Sequence, residues 1–126
     1  MFDRVIKGIN DDSATLADLM NGLTSTGALP YYEFQCRPAM GVMNQFQVPL
    51  LEGQRIVDES KSGMNGQAKQ FRYAMSHVTG IIEILGCPSG DEMLFKYHQA
   101  KYPKDASRFF TAKLADDQCW LSNDII

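Results

Sequence analysis

The stretch Leu29-Pro30-Tyr31-Tyr32-Glu33-Phe34-Gln35-Cys36 decides how this chain is read. Aromatic side chains suit a pleated, half-buried surface, and Pro30 stands near the beginning, where a missing donor matters least, so the stretch predicts a strand. Upstream of it, Leu16, Leu19, Met20 and Leu23 recur at the spacing of one helix face. Asn, Asp and Ser residues from Asn10 to Ser13 can cap the start of that helix, and Gly27 tolerates the left-handed conformation that often ends one. Before it, Arg4 to Gly8 form a shorter strand candidate. Strand, helix and strand in this order join parallel strands by a right-handed crossover. The C-terminal ends of the two strands then share a rim, from which Gly8–Asp11 and Cys36–Pro38 emerge as neighbouring loops. In parallel α/β architectures ligands and catalytic groups sit on that rim.

Working outward toward the C-terminus, residues 38–48 show no clear period and read as an ordered loop. Pro49 suits the first turn of a helix, Leu50, Val57 and Met64 keep helical spacing, and Gly63 and Gly66 bracket the end. The period then changes to two. Phe71, Tyr73 and Met75 alternate with Arg72, Ala74 and Ser76, Ile81 to Leu85 is a β-branched run, and Met93, Phe95 and Tyr97 alternate with Leu94, Lys96 and His98. Turn residues at Thr79-Gly80 and 86–90 separate these runs, which predicts an antiparallel meander. The tail from Tyr102 carries Phe109, Phe110, Leu114, Trp120 and Leu121, too much apolar surface to hang free, so it should pack on the domain. The expected class is α/β. A single domain spans 1–126, with a barrel-like β/α segment over 4–66 and a β meander with packed tail over 67–126.

Composition narrows the function. With 126 residues and a 44% apolar fraction, the chain can bury one core without a metal or a disulfide framework. Twelve basic against fifteen acidic residues, with no cluster of Lys or Arg, disfavour nucleic-acid binding through bulk electrostatics. No stretch reaches the roughly 20 apolar residues of a membrane span, and the N-terminus lacks the apolar run of a signal peptide, so a cytoplasmic protein is expected. Cys36, Cys87 and Cys119 are odd in number and widely separated, which favours free thiols. His77 and His98 could lie near one another or on opposite faces of the meander. Even with Cys87 they lack the close pairing of a zinc site. No phosphate-binding glycine loop is present.

Several single residues carry two readings. Arg37 has a planar fork that can hold a carboxylate or phosphate at two points, or it can pair with Glu33 at the surface. Cys36, beside that guanidinium, is either an activated thiol or a small apolar filler at a strand end. Asn10 and Asp11 can be helix caps or rim contacts. Tyr31, Tyr32 and Phe34 read as core and barrel lining, with base stacking as the alternative.

Several phrases also stand in a recognisable order: Lys7-Gly8-Ile9-Asn10-Asp11, Pro30-Tyr31-Tyr32-Glu33-Phe34-Gln35-Cys36-Arg37-Pro38, and Val48-Pro49-Leu50 with Glu52-Gly53. They continue as Ser62-Gly63-Met64-Asn65-Gly66, Met75-Ser76-His77-Val78-Thr79-Gly80 and Ile82-Glu83-Ile84-Leu85-Gly86. Together, over most of residues 4–99, they resemble the C-terminal part of the lysine 2,3-aminomutase family of radical S-adenosylmethionine enzymes. The resemblance implies part of an incomplete α/β barrel. In the complete enzyme, a [4Fe–4S] cluster and S-adenosylmethionine generate a radical that abstracts hydrogen from an amino acid. The family's CxxxCxxC cluster motif lies in its N-terminal part, and Cys36, Cys87 and Cys119 cannot form it.

The resemblance places Asn10, Asp11, Gln35, Cys36, Arg37, Ser76 and His77 at the substrate-binding mouth. Where the family has an aspartate for lysine's distal ammonium this chain has Arg37, whose charge would repel that ammonium. Where the family has its second aspartate and its pyridoxal-phosphate lysine, this chain has Ser76-His77-Val78-Thr79-Gly80, with neither. The implied function is the C-terminal segment of an aminomutase-like enzyme, inactive alone, with an amino-acid-like ligand in the complete enzyme. No cluster and no catalytic residue are expected on this segment. The alternative is a stand-alone oligomeric binding or assembly module, because half a barrel leaves strand edges that pair with another copy.

Overall fold

The computed structural model describes residues 2–5, 8, 9, 11–28, 30–36 and 47–122. Its elements in chain order are β1 (Phe2–Val5), α1 (Ser13–Ser25), β2 (Tyr32–Gln35), α2 (Leu50–Lys61), β3 (Arg72–His77), β4 (Gly80–Ser89), β5 (Glu92–Ala100) and β6 (Phe109–Lys113). The strands lie side by side in that order in one sheet. β1 pairs with β2 in parallel, as the crossover rule requires. The β3–β4, β4–β5 and β5–β6 pairs form the expected antiparallel meander, to which β6 in the tail adds a further strand.

One connection was not legible. β3 is also parallel to β2, with Tyr32 opposite Arg72 and Phe34 opposite Ala74, so α2 is a second crossover helix and β3 belongs to both halves. Period-two alternation reports which face a side chain takes and says nothing about the direction of the neighbouring strand. The boundary read between residues 66 and 67 therefore falls inside one continuous sheet. The chain is of mixed α/β class, and three parallel strands end on one rim instead of two.

Local chemistry explains the helix ends. Asp12 is the cap of α1, accepting hydrogen bonds at Oδ2 from the Thr15 backbone N–H (3.0 Å) and hydroxyl (2.9 Å). At the other end Gly27, at φ +89°, lets the Ala28 N–H reach the Leu23 carbonyl, the stop expected there. The Thr15 donors hold the Asp12 carboxyl below the usual carboxylate range. A pKa lower in the folded state contributes stability above the unfolded-state value and loses it as pH falls through the folded-state value. Wild-type melting temperatures should therefore drop more steeply on acidification through that window than those of Asp12→Asn, which keeps a cap without the charge. Equal slopes in melts recorded against pH would refute the assignment.

Both helices cover one face of the sheet. Two right-handed crossovers stepping in the same direction put α1 and α2 on the same side, where they pack on each other. Asn21 fastens them, donating to the Gly63 carbonyl (3.0 Å) and accepting the Asn65 N–H (3.0 Å). The core between helices and sheet includes Leu16, Met20, Leu50, Ile56, Phe71, Met75, Ile82 and Phe95. Gly53 lets α2 approach the sheet closely, because a side chain there would collide with the Tyr73 hydroxyl. The tail packs as its apolar content predicts, with Leu114 and Leu121 buried.

The opposite face is concave. Tyr32 on β2 and His98 on β5 have β3 and β4 between them, and in a flat sheet three spacings would hold them roughly 14 Å apart. Their rings instead lie 5.5 Å apart and joined by a hydrogen bond, so the sheet curls away from its helices. Ala74, fully buried on the central strand, leaves room for the two rings to meet.

Candidate functional site

The rim at the C-terminal ends of β1, β2 and β3 brings together several of the residues singled out from the sequence. Asp11 follows β1 and is partly exposed, and with Asp12 serving as the cap the helix does not account for it. Asn10 and Arg37 lie outside the described residues, as does most of the loop read over 38–48. Extending the β2–β3 register by two residues sets Cys36 level with Ser76, and extending it by one sets Gln35 level with Met75. Alternation then separates immediate neighbours: Cys36 and Ser76 belong to the concave face, Gln35 and His77 to the helix face.

On the helix face the hydrogen-bonding capacity is largely spent within the protein. The Gln35 amide nitrogen donates to the carbonyls of Val48 (2.5 Å) and Cys119 (3.1 Å), and its oxygen accepts from the Tyr73 hydroxyl (2.5 Å). This one side chain links β2, β3, the entry to α2 and the tail. Burial pushes the Tyr73 phenol far above the ordinary tyrosine range, so it stays a neutral donor. The fully buried Glu33 carboxylate adds to that shift.

His77 is held just as firmly. Its Nδ1 accepts from the Thr79 backbone N–H (3.2 Å) and lies 2.8 Å from the Thr79 hydroxyl, which also meets the Tyr97 hydroxyl at 2.8 Å. A backbone N–H only donates and carbonyls only accept, so the ring proton sits on Nε2 and is donated to Ser122 O (3.0 Å) and Leu121 O (3.3 Å). Trp120 flanks the ring with centroids 6.3 Å apart. Gln35 and His77 thus fasten the tail across the helix side of the rim.

The concave face carries Phe34, Cys36, Ser76, Lys96 and the Tyr32–His98 pair. Tyr32 is 6% exposed and stacks on Phe34 with centroids 5.0 Å apart, whereas Tyr31, read with them as core, is 53% exposed. The two histidines fall on opposite faces. Their pairing with other groups had no sequence signal, since Tyr32 and His98 are 66 positions apart and meet only because the sheet curls.

A cavity of about 240 Å³ lies away from this rim, between α2 and the end of the sheet where β3 begins, and is lined in part by Gln54, Asp58, Lys61, Arg72 and Glu83. Burial lowers the Lys61 ammonium from its usual value while its Nζ donates to the Phe71 carbonyl (2.9 Å), and Arg72 approaches Glu83 at 3.6 Å. These charges answer one another within the fold.

The donor set does not suit an iron–sulfur cluster. Cys36 stands at the rim, Cys87 on the part of β4 that runs past the start of β3, and Cys119 in the tail. None of the three is joined in a disulfide. Among the described residues no three His, Cys, Asp or Glu side chains gather as metal ligands. Nor does any helix among them have the length and apolarity to cross a membrane.

No protein-family model matches the chain. Among curated proteins it is similar to one described as "Putative L-lysine 2,3-aminomutase" from Aquifex aeolicus (strain VF5), with 38% identity over 119 residues. The aligned region is 94% of this chain and 31% of that protein, so the chain spans about a third of its relative.

Proposed function

From the premise that this chain is related along nearly its whole length to a lysine 2,3-aminomutase-like protein, we propose that it is the C-terminal segment of a radical S-adenosylmethionine aminomutase-like enzyme. In this reading the segment supplies the active-site mouth and the concave lining of a partial barrel, and is inactive alone. The observation that carries it is the pair of successive parallel crossovers, which end β1, β2 and β3 on one rim. Asp11, Cys36 and Ser76 stand at the mouth. Gln35 and His77 act from behind, as braces that hold the rim. The curl of the sheet supports a barrel-type lining, since a closed or partly closed barrel requires it.

The ligand of the complete enzyme is an amino-acid-like small molecule. Pyridoxal phosphate has no lysine at the Ser76–Gly80 segment to hold it, and the cluster has no ligand set among the described residues. Radical generation therefore belongs to another part of the complete enzyme. Anaerobic incubation of the purified chain with iron and sulfide should give no stable cluster and no reductive cleavage of S-adenosylmethionine. A cluster with that activity would overturn the reading.

A second reading is favoured by the sheet edges. β1 and β6 lie at the two ends of the strand order, and Phe109 on β6 is 58% exposed. Such edges pair readily with another chain, which makes a homo-oligomeric binding module the alternative. Light scattering should then show association that grows with concentration, whereas a monomer at every concentration rejects the module.

A further inference from the structure

We propose that His98 is the ligand-contacting hydrogen-bond donor of the concave face, that Tyr32 is its positioning residue, and that the group it takes is the carboxylate of an amino-acid-like ligand. The proposal rests on the reading of the concave face as the ligand face.

The tautomer carries the argument. Burial, the largest influence, raises the Tyr32 phenol above its ordinary value, so the hydroxyl keeps its proton. Its hydrogen-bond partner is His98 Nδ1 at 2.8 Å. If the phenol accepted a proton from Nδ1, its own O–H would have no acceptor among the described residues, which leaves a donor unsatisfied on a buried side chain. Donation from Tyr32 to Nδ1 satisfies that donor, and it places the proton of the neutral ring on Nε2. His98 thus resembles His77 in tautomer and differs in use. The Nε2–H of His77 is taken by two tail carbonyls, whereas that of His98 has no partner among the described residues and sits on a ring only half-buried.

The surroundings select the ligand group. A fixed N–H donor needs an acceptor, and the same face carries Lys96, two residues before His98, with Glu83 opposite it in the register. A carboxylate supplies the acceptor that the N–H requires, whereas an ammonium only donates and cannot. The Tyr32 ring limits rotation of the imidazole, with centroids 5.5 Å apart, so the donor direction is set before a ligand arrives.

NMR on the full chain with labelled histidine rings and backbone amides tests this directly. The wild type should show His98 as the Nε2–H tautomer, and Tyr32→Phe should return it to a mixture of both. L-Alanine should shift the His98 ring signals, and L-alaninol, which keeps the ammonium but lacks the carboxylate, should leave them in place. An Nδ1–H tautomer in the wild type overturns the proposal even if the Tyr32 variant does not fold, and so does an equal response to the two probes. Shifts at Cys36 and Ser76 with His98 unmoved would reject the role of His98 and leave the ligand face standing. No shift anywhere on that face would reject both.

Discussion

Gln35→Ala should destabilise the chain by about 3–5 kcal/mol, because it strips partners from several buried polar groups at once and each such loss costs about 1–3 kcal/mol. The Tyr73 hydroxyl loses its acceptor, and the carbonyls of Val48 and Cys119 lose their donor. The Val48 carbonyl stands just before α2 and Cys119 is in the tail, so the damage should reach both. Urea titration reads the stability, and hydrogen exchange at Leu50, whose N–H is donated to the Gln118 carbonyl (2.8 Å), reads the tail's attachment. Tyr73→Phe alone should cost less, since it leaves one amide oxygen unsatisfied. The double variant should fall short of the sum, because removing the phenol spares the group that Gln35→Ala would orphan. Strict additivity would show that the two side chains do not act as one link.

Gly80→Ala should cost about 3 kcal/mol or more, through a clash that side-chain motion cannot relieve. Gly80 sits at φ +141°, outside the ordinary range of L side chains, and an added Cβ would run into the Gln99 carbonyl and the Ala100 backbone of β5. The neighbouring Thr79 carbonyl accepts the Lys101 N–H (2.9 Å), so strands β3, β4 and β5 converge at this turn. Displacing it would also move Thr79 away from His77 and Tyr97. Denaturant titration of Gly80→Ala should show the loss, and Gly66→Ala, where an added Cβ meets no atom within 4 Å, should remain within about 0.5 kcal/mol of wild type, as substitutions clear of structural features do. Equal stability of the two variants would contradict the close approach at Gly80.

These two sites show where sequence reading reaches and where it stops. Thr79-Gly80 is recognisable as a turn from residue types alone, yet nothing local reveals that Gln99 occupies the space beside it. Gln35 is recognisable as the end of a strand at the rim, and its likeness to a family phrase draws attention to a ligand role. The structure places its amide among Val48, Tyr73 and Cys119, contacts that span up to 84 positions of chain. His77 has the same history: a histidine in a notable phrase whose two nitrogens turn out to hold Thr79 and the tail.

What the amino-acid order determined by itself is everything that depends on local stereochemistry: the two helices, the first with its stop at Gly27, a strand within residues 29–36, the parallel β1–β2 crossover and the antiparallel run through β5. Period and turn chemistry act over a few residues and can be read along the chain. Only the tertiary structure decided that β3 also runs parallel to β2, that Gln35 and His77 turn toward the helices while Cys36 and Ser76 turn away, and that Tyr32 meets His98. Those outcomes follow from strand order, from register and from the curl of the sheet. Each is set by how distant segments pack, so no stretch of sequence carries them alone.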